Sequence, residues 1–96
     1  MERVILDFSA YADRGDFHDD AAAKLHFPAY YGRNLDALED CLSEIGRETL
    51  VVLTGGSCAA PEMQAYFSRV LKVFRHAAEE NPFLFAEHLP DSEKQA

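Results

Sequence analysis

The segment Thr49-Leu50-Val51-Val52-Leu53-Thr54 constrains the fold more than any other. Its four central residues are apolar without alternation, so a strand built from them has no polar face to turn toward water. That is the signature of a central strand in a parallel sheet. Parallel neighbours cannot be joined by tight hairpins and need crossovers, usually helical, and the rest of the chain supplies them. Val4 to Phe8 reads as one flanking strand and Phe83 to Ala86 as the other, both short, apolar and bounded by polar residues. Between the first two strands, Gly15 or Asp16 caps a helix that runs to about Leu25, with Phe17, Ala21 and Leu25 four apart. Pro28 closes this segment, because the residue before a proline is pushed out of helical geometry. Asn34 is an N-cap and Gly46 a C′ residue for a second helix over 35–45. Gly55-Gly56-Ser57 breaks the central strand, and Pro61 fits the first turn of a long helix to about Glu80. Met63, Tyr66, Phe67, Val70, Phe74 and Ala77 form its buried face, and Asn81-Pro82 stops it. The expected architecture is a single α/β domain over 1–88, a three-stranded parallel sheet with helical crossovers, and a polar tail over 89–96.

Charge and size then exclude whole classes of function. The chain has 96 residues, with 9 Lys+Arg against 17 Asp+Glu, for a net charge of −8. Phosphate binding wants a basic face, so nucleic acid is not the expected partner; an acidic protein attracts basic surfaces. No apolar run approaches the roughly 18–20 residues of a membrane span, and the start Met1-Glu2-Arg3-Val4 lacks the charged-then-apolar pattern of a signal peptide. Cys41 and Cys58 show no framework spacing, which fits two thiols in a reducing cytoplasm. No metal or cofactor is expected: His18 and His26 are eight apart, too far for one metal on one helix, and no Glu-x-x-His or close Cys/His spacing is present. Those two histidines read as ordinary surface or capping residues. Catalysis by the Asp36/Asp40 pair would need a cleft and shifted pKa values, whereas the periodicity puts both on a convex helix face.

The second helix carries the functional signal. At about 100° per residue, Leu35, Leu38, Leu42 and Ile45 share one face. Asp36, Asp40 and Ser43 occupy the opposite side, with Glu39 and Glu44 flanking them. Asp36 and Asp40 are four apart, a like-charge spacing that costs a few tenths of a kcal/mol, and no lysine is interspersed to offset it. Just before the helix stand Tyr30 and Tyr31, rings that offer contact area at low entropic cost beside the charge.

The stretch Phe27-Pro28-Ala29-Tyr30-Tyr31-Gly32-Arg33-Asn34-Leu35-Asp36-Ala37-Leu38-Glu39-Asp40-Cys41-Leu42 resembles the signature of the barstar family, intracellular inhibitors of the secreted ribonuclease barnase. The shared motif is Tyr-Tyr-Gly-x-Asn-Leu-Asp-Ala-Leu-x-Asp, and Val70 to Arg75 resembles the family's later helix. The resemblance implies a two-layer barstar-like α/β fold and a cytoplasmic, non-enzymatic inhibitor. In such proteins the acidic helix and the loop before it plug the active site of a basic ribonuclease or nuclease toxin. It implies partner contacts through Tyr30, Tyr31, Gly32, Asn34, Asp36, Glu39, Asp40, Ser43 and His76, with Asp40 matching the central acid that takes the place of a substrate phosphate. Glu39 and Ile45 stand where the family prototype has tryptophans, His76 where it has a contact glutamate, Arg33 where it has an acid, and Ser43 where it has a threonine. Central acids kept and a periphery rewritten point to an inhibitor with a different cognate enzyme. A barstar-like regulatory domain with a non-nuclease partner is the alternative.

Overall fold

The computed structural model describes residues 1–90. Three strands, β1 (Glu2–Asp7), β2 (Thr49–Thr54) and β3 (Leu84–Leu89), form one sheet in the order β1-β2-β3, and both pairings are parallel. Helices α1 (Arg14–Leu25) and α2 (Leu35–Ser43) connect β1 to β2, and α3 (Pro61–Glu80) connects β2 to β3. The strand order advances in one direction. Right-handed crossovers therefore carry all three helices over the same face of the sheet, giving a two-layer α/β domain.

That face is the core. Val4 and Leu6 of β1 stand beside Val51 and Leu53 of β2, with Leu84 of β3 next to Thr49. All are buried against Phe17, Ala21 and Leu25 of α1, Leu38 and Leu42 of α2, and Met63, Tyr66, Phe67, Val70, Phe74 and Ala77 of α3. The α3 face matches its sequence periodicity residue for residue. β2 is central, as its unbroken apolar run requires. The two-sided cover implied by that run is absent on the outer side: Val52 is 2% exposed, yet it lies outside the helix-covered core cluster.

Several boundaries differ from sequence expectation. β1 runs from Glu2 to Asp7 rather than from Val4 to Phe8, and Asp13 rather than Gly15 or Asp16 caps α1, its Oδ1 accepting the Asp16 N–H at 2.9 Å. β3 runs from Leu84 to Leu89, past the expected end at Ala86, because its backbone keeps pairing with β2 as far as Thr54↔Leu89. A hydrogen-bond ladder is indifferent to the polar side chains of Glu87 and His88. Leu89, assigned above to the tail, is thus in a strand, and 91–96 lies outside the described residues. α2 stops at Ser43 rather than Ile45. The last turn tightens, with the Glu44 N–H donating to the Cys41 carbonyl at 3.2 Å and that of Ile45 to Leu42 at 3.3 Å. Gly46 is not a left-handed C′ residue, since Gly55 alone among the glycines has positive φ. Asn81 does the capping instead: its Nδ2 donates to the carbonyls of Leu42 at 2.9 Å and Ile45 at 3.0 Å.

Gly55 ends β2 at φ 81°. A Cβ there would fall on the Asp7 carboxylate and within 2.7 Å of the Ser9 nitrogen. Gly55→Ala is expected to cost about 1–3 kcal/mol through combined backbone strain and crowding. Urea unfolding checks it; a loss under about 0.5 kcal/mol would mean that the turn after β1 yields freely.

Candidate functional site

α2 is short and needs help to form. Asn34 begins it: its Oδ1 accepts the Ala37 N–H at 2.8 Å, while its Nδ2 donates to the Gly32 carbonyl at 3.3 Å. One side chain thus caps the helix and ties the preceding loop to it. Leu38 and Leu42 are fully buried, and Leu35 and Ile45 are half-buried against the same core. With the apolar stripe turned in, Asp36, Asp40, Ser43 and Glu44 are exposed and Glu39 is half-exposed. The Ser43 hydroxyl donates to the Asp40 carbonyl at 2.6 Å, inside the last turn. Among the described residues the carboxylates of Asp36, Asp40 and Glu44 enter no ion pair, while those of Glu2, Asp19 and Asp20 each hold a cation.

The loop before α2 is held from below. Tyr30 is 84% exposed and points away from the protein, whereas Tyr31 is 8% exposed, so the two aromatics adjacent in sequence have opposite roles. The Tyr31 hydroxyl meets His18 Nδ1 at 2.6 Å, and His18 Nε2 meets the Tyr66 hydroxyl at 2.7 Å. This chain links α1, the loop and α3. It corrects the surface-or-capping reading of His18, which is buried at 2% exposure; its companion His26 does occupy the C-cap of α1, in left-handed geometry. A neutral imidazole has one donor and one acceptor, so it serves both hydroxyls at once. Burial, then the cations of Arg33 and Arg14, push the His18 pKa down against the pull of Asp19. Burial likewise raises the Tyr31 hydroxyl above its ordinary value, with Cys41 and Tyr66 adding to it.

Arg33 is a second anchor. It takes φ 56° immediately before the cap, and its guanidinium bonds the Gly15 carbonyl at 3.3 Å and pairs with Asp19 at 3.1 Å. His76, on α3, meets Glu39 at 2.6 Å and Glu80 at 4.0 Å. Two positions expected to differ from the family prototype therefore stand against each other. The nearest carboxylate to His76 comes from α2 rather than from its own helix. Beside the N-terminus of α2, Arg14 lies 4.4 Å and Arg69 5.7 Å from the Tyr66 ring centre, bordering an open cleft with Asn34, Leu35 and Asp36.

Of the predicted site residues, Tyr30, Gly32, Asn34, Asp36, Asp40 and Ser43 stand exposed along the loop and α2, Glu39 and His76 meet across α2 and α3, and Tyr31 is buried. In the sequence His18 reads only as a surface or capping residue and Asn81 only as a helix stop, and neither Arg14 nor Arg69 is marked. For His18 a signal existed: it lies three residues before Ala21 and seven before Leu25, on the apolar face of α1. Asn81 carries no such mark, because its partners are 36 and 39 residues away. Among the described residues no cluster of three or more His, Cys, Asp or Glu is arranged to hold a metal ion, and no helix is long and apolar enough to cross a membrane.

Comparison with known proteins adds two findings. The family model described as Barstar (barnase inhibitor) matches residues 1–90. A Bacillus subtilis (strain 168) protein named "Putative ribonuclease inhibitor YrdF" is 38% identical over 81 residues, covering 83% of this chain and 89% of that protein.

Proposed function

This chain belongs to the barstar family, and from that premise we propose that it inhibits a basic ribonuclease by seating the outer face of α2 and the loop 30–34 in the enzyme's active site. The observation that carries the reading is the set of carboxylates of Asp36, Asp40 and Glu44, held outward without a cation on a helix fixed at both ends. Like charges at that spacing oppose one another, and a cationic active site relieves the repulsion when it docks. Asp40 takes the central role, opposite the enzyme's phosphate-binding cations. Asp36 and Tyr30 contact beside it, and Gly32 and Asn34 give the loop its shape. Tyr31 acts from below through His18. Glu39 already meets His76 at 2.6 Å, so the rim offers a partner a carboxylate engaged within the chain, which supports a cognate enzyme distinct from barnase.

The experiment uses a small basic ribonuclease, which the inhibitor reading expects to be encoded beside this chain's gene, or one captured from native cells. Cleavage of a fluorogenic RNA should stop at one equivalent of the protein. With −8 on one side and a cationic active site on the other, association should slow at least about tenfold between low and roughly 0.5 M salt. Stopped-flow mixing measures this. A salt-independent rate would replace the electrostatic plug with an apolar interface, and undiminished RNA cleavage would remove the inhibitor reading altogether.

A further inference from the structure

We propose that the outer face of the sheet is a self-association surface, by which two copies of this chain pack sheet to sheet and leave both α2 helices open. The single-sided winding of the helices leaves this face without a helix among the described residues. Of the five large hydrophobic side chains that stand exposed among the described residues, Tyr30 belongs to the site already described; the other four are Met1, Ile5, Phe83 and Phe85, at 72%, 47%, 44% and 42% exposure. Ile5 and Phe85 are on the outer side of β1 and β3, and Met1 and Phe83 continue the same alternation just before those strands. Leu50 and Val52 of β2 lie between them and outside the helix-covered core cluster. The centre of this face is therefore apolar, with Ile5, Val52, Leu50 and Phe85 contiguous across the three strands.

Its charges identify the occupant. The register aligns Arg3, Leu50 and Phe85 in one row and Ile5, Val52 and Glu87 in the next. Arg3 and Glu87 sit at opposite corners of this block, and Ile5 and Phe85 at the other two. Neither Arg3 nor Glu87 has an ion-pair partner among the described residues, being on opposite edge strands two spacings apart, roughly 10 Å. A partner of uniform charge would satisfy one corner and repel the other. A second copy satisfies both. With a twofold axis close to the Ile5–Phe85 diagonal, between the facing sheets, Ile5 and Phe85 each meet their own symmetry mates. Each Arg3 then lies over the partner's Glu87. The strands of the two sheets cross at roughly a right angle, one of the two standard ways in which sheets pack, and the interface is isologous, as a closed dimer demands.

The patch is small, about 14 Å by 20 Å from strand spacing and length. It buries less than the roughly 1,200 Å² in total at which stable complexes begin, so the dimer is expected to be weak. Sedimentation of the full chain from about 5 µM to 1 mM should show a monomer–dimer equilibrium. Arg3→Glu alone and Glu87→Arg alone each set like charges against each other and should weaken it by about tenfold or more. The double variant restores opposite charges and should recover dimerisation to within about threefold. Both side chains are exposed and unpaired, so thermal melts should match the parent and keep loss of dimer separate from loss of fold. A monomer at every concentration would overturn the proposal and leave the face to a different protein. A dimer insensitive to both reversals would overturn it as well, by placing the contact elsewhere. Neither result bears on ribonuclease inhibition, which uses the other side of the molecule.

Discussion

Replacing Asp40 with alanine is expected to weaken binding to the cognate ribonuclease more than any other single change on α2. Removing one member of a desolvated charge pair strands the opposing cation in the interface and costs about 2–5 kcal/mol, a range to which barnase–barstar complexes themselves contributed. That corresponds to a loss of affinity between about thirtyfold and several thousandfold. Folding should not suffer. The Asp40 side chain is exposed and enters no ion pair among the described residues, and its removal relieves the repulsion with Asp36, a gain of a few tenths of a kcal/mol. The expected pattern is thus a large loss in titration calorimetry with a urea midpoint unchanged or slightly raised. Asp36→Ala should show a smaller binding loss and a slight loss of stability, because Asp36 lies in the first turn, where the helix dipole favours an acid. An unchanged affinity for Asp40→Ala would move recognition off the centre of α2, and a stability loss above about 1 kcal/mol would give Asp40 a structural role.

His18→Leu should be the most destabilising substitution near the site. It leaves the buried hydroxyls of Tyr31 and Tyr66 without their shared partner. At about 1–3 kcal/mol for each unsatisfied group, offset in part by relaxation of the tyrosines, the expected loss is about 2–4 kcal/mol. The same histidine gives stability a pH dependence of defined sign. Its folded pKa is lowered, so below the unfolded value near 6.5 the unfolded chain binds a proton that the folded chain resists. The contribution of the neutral imidazole is fully present above about pH 6.5 and declines as pH falls through and below that value. The slope cannot exceed about 1.4 kcal/mol per pH unit for one proton. Urea unfolding from pH 8 to 5 should show this slope in the parent and a shallower one in His18→Leu. Parallel profiles would mean that His18 accepts its proton in place, donating to both tyrosines.

Much of this protein can be read from neighbours in sequence. The unbroken apolar run of β2 demands a central strand, the spacing of Leu35, Leu38 and Leu42 orients α2, and Asn34 marks its first turn. These properties arise from side-chain periodicity and backbone preference within a few residues. The acidic face of α2 follows directly, since turning one side of a helix inward leaves the other side out. The end of α2 was less legible, because the cap that closes it is the side chain of Asn81 rather than a local glycine. The end of β3 was hidden for a related reason: strand length follows the backbone ladder supplied by β2, whatever side chains Glu87 and His88 carry.

The sequence by itself determined the elements, their order and the charge of the face that α2 turns outward. Tertiary structure decided which of two adjacent tyrosines is anchor and which is contact. Tyr31 turns inward because His18 and Tyr66, 13 residues before it and 35 after, converge beneath the loop once α1 and α3 pack on the sheet. It also decided that β2 is covered by helices on one side alone. Alternation along β1 and β3 assigns residues to two faces but does not say which face is sheltered. That depends on the strand order and the right-handed crossovers, and they leave Ile5 and Phe85 on a sheet surface that no helix of the described chain reaches.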